Sequence, residues 1–127
     1  MEDRYLFRGK RIDNGEWVVG YIARYGYTGK EKYFIIPNYA SDLYAFLIDK
    51  NTICQCTGLK DKNGKLIYEN DIVKCGNTTV VDWNEHFASW CLTKKGWMYH
   101  HFFGESQEPK DCEVIGNTFD NPELLEG

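Results

Sequence analysis

The sequence predicts a small all-β protein with little helix, and three observations support this prediction. Apolar residues come in short blocks rich in Val, Ile, Tyr, Phe and Trp, separated by Gly, Asn, Asp and Lys. The apolar spacing of an amphipathic helix is nearly absent. With 127 residues, of which 43% are hydrophobic, the chain has the usual size for one hydrophobic core. We therefore predict a single domain over residues 1–127.

Three strands are predicted in the N-terminal part of the chain. The first is "RYLFRGK", and the turn "DNGEW" separates it from "EWVVGYIAR". Apolar residues occupy both alternating faces of this second segment, which is typical of a covered central strand. Gly20 within it predicts a bulge or a sharp bend. The third strand, "KYFIIP", ends at Pro37.

Turn chemistry organises the middle of the chain. "SDLYAFLIDKN" fits a helix capped by Ser41 or Asp42, or a strand over residues 44–48, and we favour the strand. Asn63-Gly64 predicts a type I′ hairpin turn, because this pair tolerates positive φ angles at both central positions. Asn70 predicts a second tight corner before the strand "DIVKC", and "CGN" predicts a hairpin that leads to "TTVVDW".

Further strands are predicted in the C-terminal part, namely "FASWCL", "WMYHHFF" and "CEVIGN". Asn121 is predicted to cap one short C-terminal helical turn, with Pro122 at its first position. Alternation along "WMYHHFF" predicts one face formed by Trp97, Tyr99, His101 and Phe103 and another formed by Met98, His100 and Phe102.

The segment "TGLKDKNGKLIYENDIV" resembles the signature of the YopX family of phage- and prophage-encoded proteins. "FRGK" and "GEWVVGY" near one end of the chain and "EVIGNTFDNPELL" near the other also resemble this family, so the resemblance covers essentially the full chain. The family pattern favours Gly where this chain has Asn70. Asn is the non-glycine residue that most readily adopts left-handed backbone geometry, so we expect the corner to persist.

The resemblance implies a small SH3-like, YopX-like β-barrel and a phage-associated setting in the bacterial cytoplasm. It implies no established enzyme activity and transfers no catalytic or binding residue to this chain. The charged start "MEDRYLFRGKR" also lacks the apolar core of a signal peptide, and no apolar run has the length of a membrane span. We therefore predict a cytoplasmic protein without membrane contact.

Charge and cysteine content narrow the possible partners. The net charge is −4, and the acidity is concentrated in residues 104–127, so the remaining body is only mildly basic. This balance argues weakly against DNA as the partner. Five cysteines at irregular spacing favour reduced, packed thiols over a disulfide framework.

The candidate macromolecule-binding residues form two groups. Three lysines line the Asn-Gly hairpin and could meet phosphates. Two more precede the aromatic segment "WMYHHFF", whose outer face could stack on a nucleobase, contact a partner protein or simply be covered core. The seven candidates are Lys60, Lys62, Lys65, Lys94, Lys95, Trp97 and Tyr99.

The sequence gives little support for metal binding or catalysis. Cys54 and Cys56 would share a strand face, and three histidines could complete a site, but the spacing is unlike a zinc knuckle. Glu69 and Asp71 flank Asn70, where carboxylates have a simpler role as local hydrogen-bond acceptors. The chain contains no Gly-rich phosphate loop and no nucleophile elbow. We predict no cofactor, no metal and no enzyme activity.

The sequence thus favours a non-catalytic protein-interaction module that binds a partner protein or self-associates. The basis is an aromatic content of 16% with a mild net charge, because Tyr and Trp are favoured interface anchors. The alternative is a nucleic-acid-binding β-barrel module that uses the lysines or the aromatic strand.

Overall fold

The computed structural model describes residues 3–37, 45–98, 101–103 and 107–126. Within these residues the all-β prediction is confirmed, since the regular elements are antiparallel strands and single 3-10 turns. The strands are β1 (Phe7–Lys10), β2 (Trp17–Tyr25), β3 (Lys32–Pro37), β4 (Phe46–Ile48), β5 (Cys54–Lys60), β6 (Leu66–Tyr68), β7 (Asp71–Cys75), β8 (Asn77–Asn84), β9 (Ser89–Thr93), β10 (His101–Phe102) and β11 (Glu113–Asn117). The 3-10 turns are Asp3–Tyr5, Lys50–Thr52, Pro109–Asp111 and Pro122–Leu125, the last called the C-terminal turn below.

The chain forms two compact units, Met1–Cys56 and Thr57–Gly127. The single domain over residues 1–127 stays a prediction. Among the described residues, no helix has the length and apolar composition needed to span a membrane.

The first unit is built on a sheet with the strand order β4-β3-β2-β1-β5. Its core consists of Val18, Ile35 and Ile48, against which Phe46 and Ile53 pack. Strand β2 lies between β1 and β3, so its predicted central position is confirmed. The favoured strand over residues 44–48 is present as β4, whereas residues 38–44, with the two proposed capping side chains, lie outside the described residues.

Gly20 does not form the predicted bulge. The pairing runs through it in regular register, with Gly20 opposite Phe7 on one side and opposite Pro37 on the other. A Cβ atom at this position would overlap with the carbonyl oxygen of Ile36. Glycine is therefore required here for close approach of two backbones, which is the other common reason for glycine inside a strand.

The second unit contains a five-stranded sheet with the order β10-β9-β8-β7-β11. Strand β5 begins in the first unit and continues into the second, where β6 is its neighbour. These strand orders end at edge strands, so the described sheets are open and do not close into a barrel. The core of this unit comprises Ile67, Val73, Val81, Leu92, Phe103 and Cys112.

The loop between β5 and β6 is a hairpin, as predicted, but its turn is not type I′. Gly64 has a φ of 79°, whereas the non-glycine residues with positive φ in the described chain are Asn70 and Ala88, not Asn63. The Gly64 N–H donates to the carbonyl of Asp61 at 3.0 Å, and the Asp61 N–H donates to Lys65 at 2.9 Å. This geometry is a type I turn followed by a left-handed glycine, which closes a three-residue loop.

The carboxylate of Asp61 connects this hairpin to β11. Its Oδ1 atom accepts the N–H groups of Asn63 and Lys65, both at 2.9 Å, and its Oδ2 atom accepts the N–H of Val114 at 3.0 Å. The residue is only 5% exposed. Burial alone would raise the pKa of this carboxyl, but the donated hydrogen bonds outweigh burial and hold the pKa below its usual range.

The next two corners follow the sequence predictions. Asn70 has a φ of 69°, so the left-handed corner expected there is confirmed. Beside it, Asp71 accepts the N–H of Tyr68 at 2.8 Å, which confirms a local hydrogen-bonding role for this carboxylate. Gly76, with a φ of 91°, forms the predicted hairpin between β7 and β8.

A disulfide joins Cys75 to Cys112, so the prediction of five reduced thiols is wrong for this pair. Cys75 ends β7 and Cys112 precedes β11, and their Cα atoms lie 4.5 Å apart. That distance is typical of directly opposed antiparallel residues that exchange no backbone hydrogen bonds. The remaining cysteines, Cys54, Cys56 and Cys91, are free and buried.

The C-terminal part departs from prediction at two places. In "WMYHHFF", β10 contains only His101 and Phe102, Trp97 and Met98 lie outside any strand, and residues 99 and 100 lie outside the described chain. The predicted last helical turn is present, but the Asn121 side chain makes no capping bond. Its Oδ1 atom instead accepts the N–H of Asn117 at 3.2 Å, because the chain turns back sharply after β11.

We expect Asp61→Ala to lower the free energy of unfolding by about 3 kcal/mol, because three backbone N–H groups lose their acceptor. Urea denaturation at pH 7 measures the change. Asp111→Ala is the control, since Asp111 is exposed, and it should change stability by less than about 0.5 kcal/mol. Equal effects of the two substitutions would contradict the connecting role of Asp61.

The lowered pKa of Asp61 also predicts an acid-dependent loss of stability. Its contribution is fully present above the unfolded pKa of about 3.9 and is lost as the pH falls through the lower folded pKa. The stability difference between the natural protein and Asp61→Asn should therefore shrink as the pH is lowered below about 4. Urea titrations at several acidic pH values measure it, and a constant difference would refute this expectation.

Reduction of the disulfide should lower the free energy of unfolding by about 4 kcal/mol, because the bond closes a long loop in the unfolded chain. The two half-cystines are 37 residues apart. Denaturation with and without a phosphine reductant measures the loss. Alkylation of the denatured, unreduced protein is the direct check, and it should modify three cysteines; modification of all five would show that the bond is absent.

Candidate functional site

One of the three hairpin lysines pairs with an acidic residue. Lys60, Lys62 and Lys65 are exposed around the loop between β5 and β6. The Nζ atom of Lys62 lies 3.3 Å from the Oε2 atom of Glu113, and both side chains are about half exposed. The nearby carboxylate offsets part of the positive charge that these lysines were predicted to present to phosphates.

Lys94 and Lys95 lie at a groove of about 790 Å³ in the second unit. One wall is formed by Thr78 and Val80 of β8 and by Thr93 of β9, which lies directly opposite Val80. Because side chains alternate along a strand, this face of the sheet is the opposite of the one that carries Val81 and Leu92 into the core.

The other wall of the groove is the C-terminal turn. Leu124, Leu125 and Glu126 line it, and the two leucines are 38% and 40% exposed. A tight turn after β11 directs the chain there, since the side-chain oxygen of Asn117 accepts the N–H groups of Phe119 and Asp120. We call this cavity the lysine-leucine groove.

The lysine-leucine groove combines apolar surface with net positive charge. Val80 and the two leucines supply aliphatic side chains, and the charged side chains among the described lining residues are those of Lys94, Lys95 and Glu126. Such a surface favours a ligand that carries an apolar side chain next to acidic groups, because the apolar part is removed from water and the acidic part meets the ammonium groups.

Trp97 lines a different cavity, on the core face of β8 and β9. Its ring centroid lies 4.2 Å from that of His101. This cavity has a volume of about 230 Å³ and is lined by Cys75, Asn77, Thr79, Leu92, Trp97, His101 and Gln107. Trp97 therefore lines a different cavity from the groove at Lys94 and Lys95. Tyr99 lies outside the described residues. We call this cavity the Trp97 pocket.

A group of exposed aromatic residues was not identified from the sequence. Trp83 and Phe87, on and near the β8–β9 hairpin, are 39% and 49% exposed. Trp83 packs edge-on against Trp90 with centroids 5.0 Å apart, and Phe87 packs similarly against Phe102 at 5.3 Å. The cross-strand register places Trp83 directly opposite Trp90. The available signal in the sequence was a Trp in each of these two neighbouring strands.

The basic residues near the N-terminus contact aromatic rings and a carboxylate within the first unit. The guanidinium of Arg8 lies 4.8 Å from the ring centroid of Trp17, and the ammonium of Lys10 lies 5.3 Å from it. Arg11 lies over Phe46 and also pairs with Asp13, whose pKa it lowers by hydrogen bonding. These cations are held by aromatic rings and a carboxylate.

The free cysteines are structural in character. Burial raises the pKa of the Cys91 thiol, with a further contribution from the charge of Asp82, so Cys91 is a poor nucleophile. Cys54 and Cys56 share one face of β5, as predicted, and both are fully buried. In the part of the chain that the structure describes, no three metal-ligating side chains are grouped.

Comparison with protein families identifies a match. The sequence model of the family described as YopX protein matches residues 6–126, which is nearly the whole chain. No curated protein matches the chain with significant similarity.

Proposed function

The chain belongs to the YopX family, and from this premise we propose that it is a non-catalytic protein-interaction module, carried by a phage or prophage and acting in the bacterial cytoplasm. The observation that carries the proposal is the lysine-leucine groove. Its partner is a protein segment that places acidic residues beside a large aliphatic or aromatic side chain.

The size of the groove suits a short peptide segment. Its volume of about 790 Å³ lies within the range of roughly 300–1,000 Å³ that is usual for ligand sites. Leu124 and Leu125 are each more than a third exposed, and covering them would remove apolar surface from water at about 25 cal/mol per Å². This apolar burial supplies the affinity of the proposed contact.

The two lysines supply orientation and selectivity. Each exposed ion pair is worth only about 0.2–1 kcal/mol, so Lys94 and Lys95 do not hold a partner by themselves. Their charge accelerates the approach of an acidic segment and disfavours a basic one. Trp83 and Phe87 form a second exposed surface that a larger partner protein could use as an anchor.

The proposal is tested by selecting peptides from a random display library on the immobilised protein. We expect enrichment of sequences in which Asp or Glu flanks Leu, Ile or Phe. Replacing both lysines, as Lys94→Glu with Lys95→Glu, should weaken a selected peptide at least about tenfold, since two attractions become repulsions. Fluorescence anisotropy of the labelled peptide measures the affinity.

The matched control is Lys60→Glu with Lys65→Glu, which changes the net charge equally on exposed lysines outside the groove. This variant should keep its affinity within about twofold if the lysines act locally. Equal losses in both double variants, or no enrichment of acidic and apolar residues, would contradict the proposed partner. Salt-dependent binding of a labelled single-stranded oligonucleotide, together with no selected peptide, would favour the nucleic-acid alternative.

A further inference from the structure

The Trp97 pocket has the features of a small-molecule site that is separate from the lysine-leucine groove. One wall is aromatic, because the rings of Trp97 and His101 lie against each other at an angle of 39°. The floor includes the buried side chains of Thr79 and Leu92. The remaining polar lining comes from the amide side chains of Asn77 and Gln107.

The two amides are available to a ligand. Within the described residues, neither Asn77 nor Gln107 directs its side-chain amide into a hydrogen bond with another residue. A side-chain amide carries both a hydrogen-bond donor and an acceptor. Two such amides can therefore hydrogen-bond to the edge of a ring that presents both donor and acceptor groups. The aromatic wall offers stacking to the face of the same ring.

The size and charge of the pocket restrict the ligand further. A volume of about 230 Å³ corresponds to roughly eight waters at ~30 Å³ each, which is enough for a single planar ring system and too little for a drug-sized molecule. No Lys, Arg, Asp or Glu is among its described lining residues. This lining suits a ligand that is uncharged where it enters the pocket.

We propose that the Trp97 pocket binds an uncharged planar heteroaromatic ring with donor and acceptor groups on its edge, the chemistry of a nucleobase. Trp97 stacks on the ring, and Asn77 and Gln107 hydrogen-bond to its edge. Such a ring can come from a free nucleoside or from a base in a single strand. Lys94 and Lys95 line the lysine-leucine groove instead, and the described lining of the pocket has no lysine or arginine to meet a phosphate, which favours the nucleoside.

The test is titration of the natural protein with adenosine, guanosine, cytidine and uridine, followed by saturation-transfer NMR and calorimetry. We expect at least one nucleoside to bind with a dissociation constant of about 0.1–1 mM, which suits a ligand of this size. Trp97→Ala should weaken that binding at least about tenfold, because a stacking face is lost. Tyr27→Ala, which removes an exposed aromatic ring outside the pocket, should leave it unchanged.

A second variant keeps the test valid if Trp97→Ala does not fold. Asn77 is exposed, and Asn77→Ala should weaken the nucleoside about threefold or more while the protein keeps its thermal stability. A deoxyadenosine decamer forms the other arm: tighter, salt-dependent binding that still requires Trp97 would identify a single strand as the source of the ring. Absence of binding to all probes, or binding unaffected by both pocket variants, would overturn the proposal. Either result leaves the lysine-leucine groove and its peptide test untouched.

Discussion

The second unit depends on one buried carboxylate. Asp61 accepts two N–H groups of its own hairpin and one from Val114. A buried charge is tolerated only when hydrogen bonds replace its hydration, and these three donors do so. The same carboxylate therefore fixes the shape of the β5–β6 loop and the position of β11. The Lys62 N–H, which donates to Cys112, and the disulfide from Cys112 to Cys75 act on the same segment.

Much of the fold could be predicted because its signals are local. Glycine and asparagine mark backbone positions with positive φ, and the corners at Asn70 and Gly76 were found on that basis. The type of the β5–β6 turn was missed, because Asn-Gly also fits a type I turn followed by a left-handed glycine. The hydrogen bonds of Asp61 select between the two turns, and one of their donors lies in a strand far along the chain.

The candidate site was less predictable, because its geometry is set by contacts between distant segments. Lys94 and Lys95 were recognised as exposed cations, but the leucines that line the groove with them come from the C-terminal turn. Trp97 follows Lys95 by two residues and still lines a cavity on the other face of the sheet. The disulfide was missed for the same reason, since the pairing of Cys75 with Cys112 follows from the register of β7 and β11.

The pairing of β11 with β7 has a consequence for synthesis on the ribosome. Strand β7 emerges with its hairpin partner β8, but its other edge faces solvent until β11, which starts at Glu113, has also been translated. An unpaired strand edge can pair with strands of other chains. Until β11 is present, the Asp61 carboxylate also lacks the N–H of Val114 as a donor, which destabilises the β5–β6 hairpin. The nascent second unit is thus exposed to aggregation until its last strand arrives, and a truncated chain keeps that exposed edge permanently.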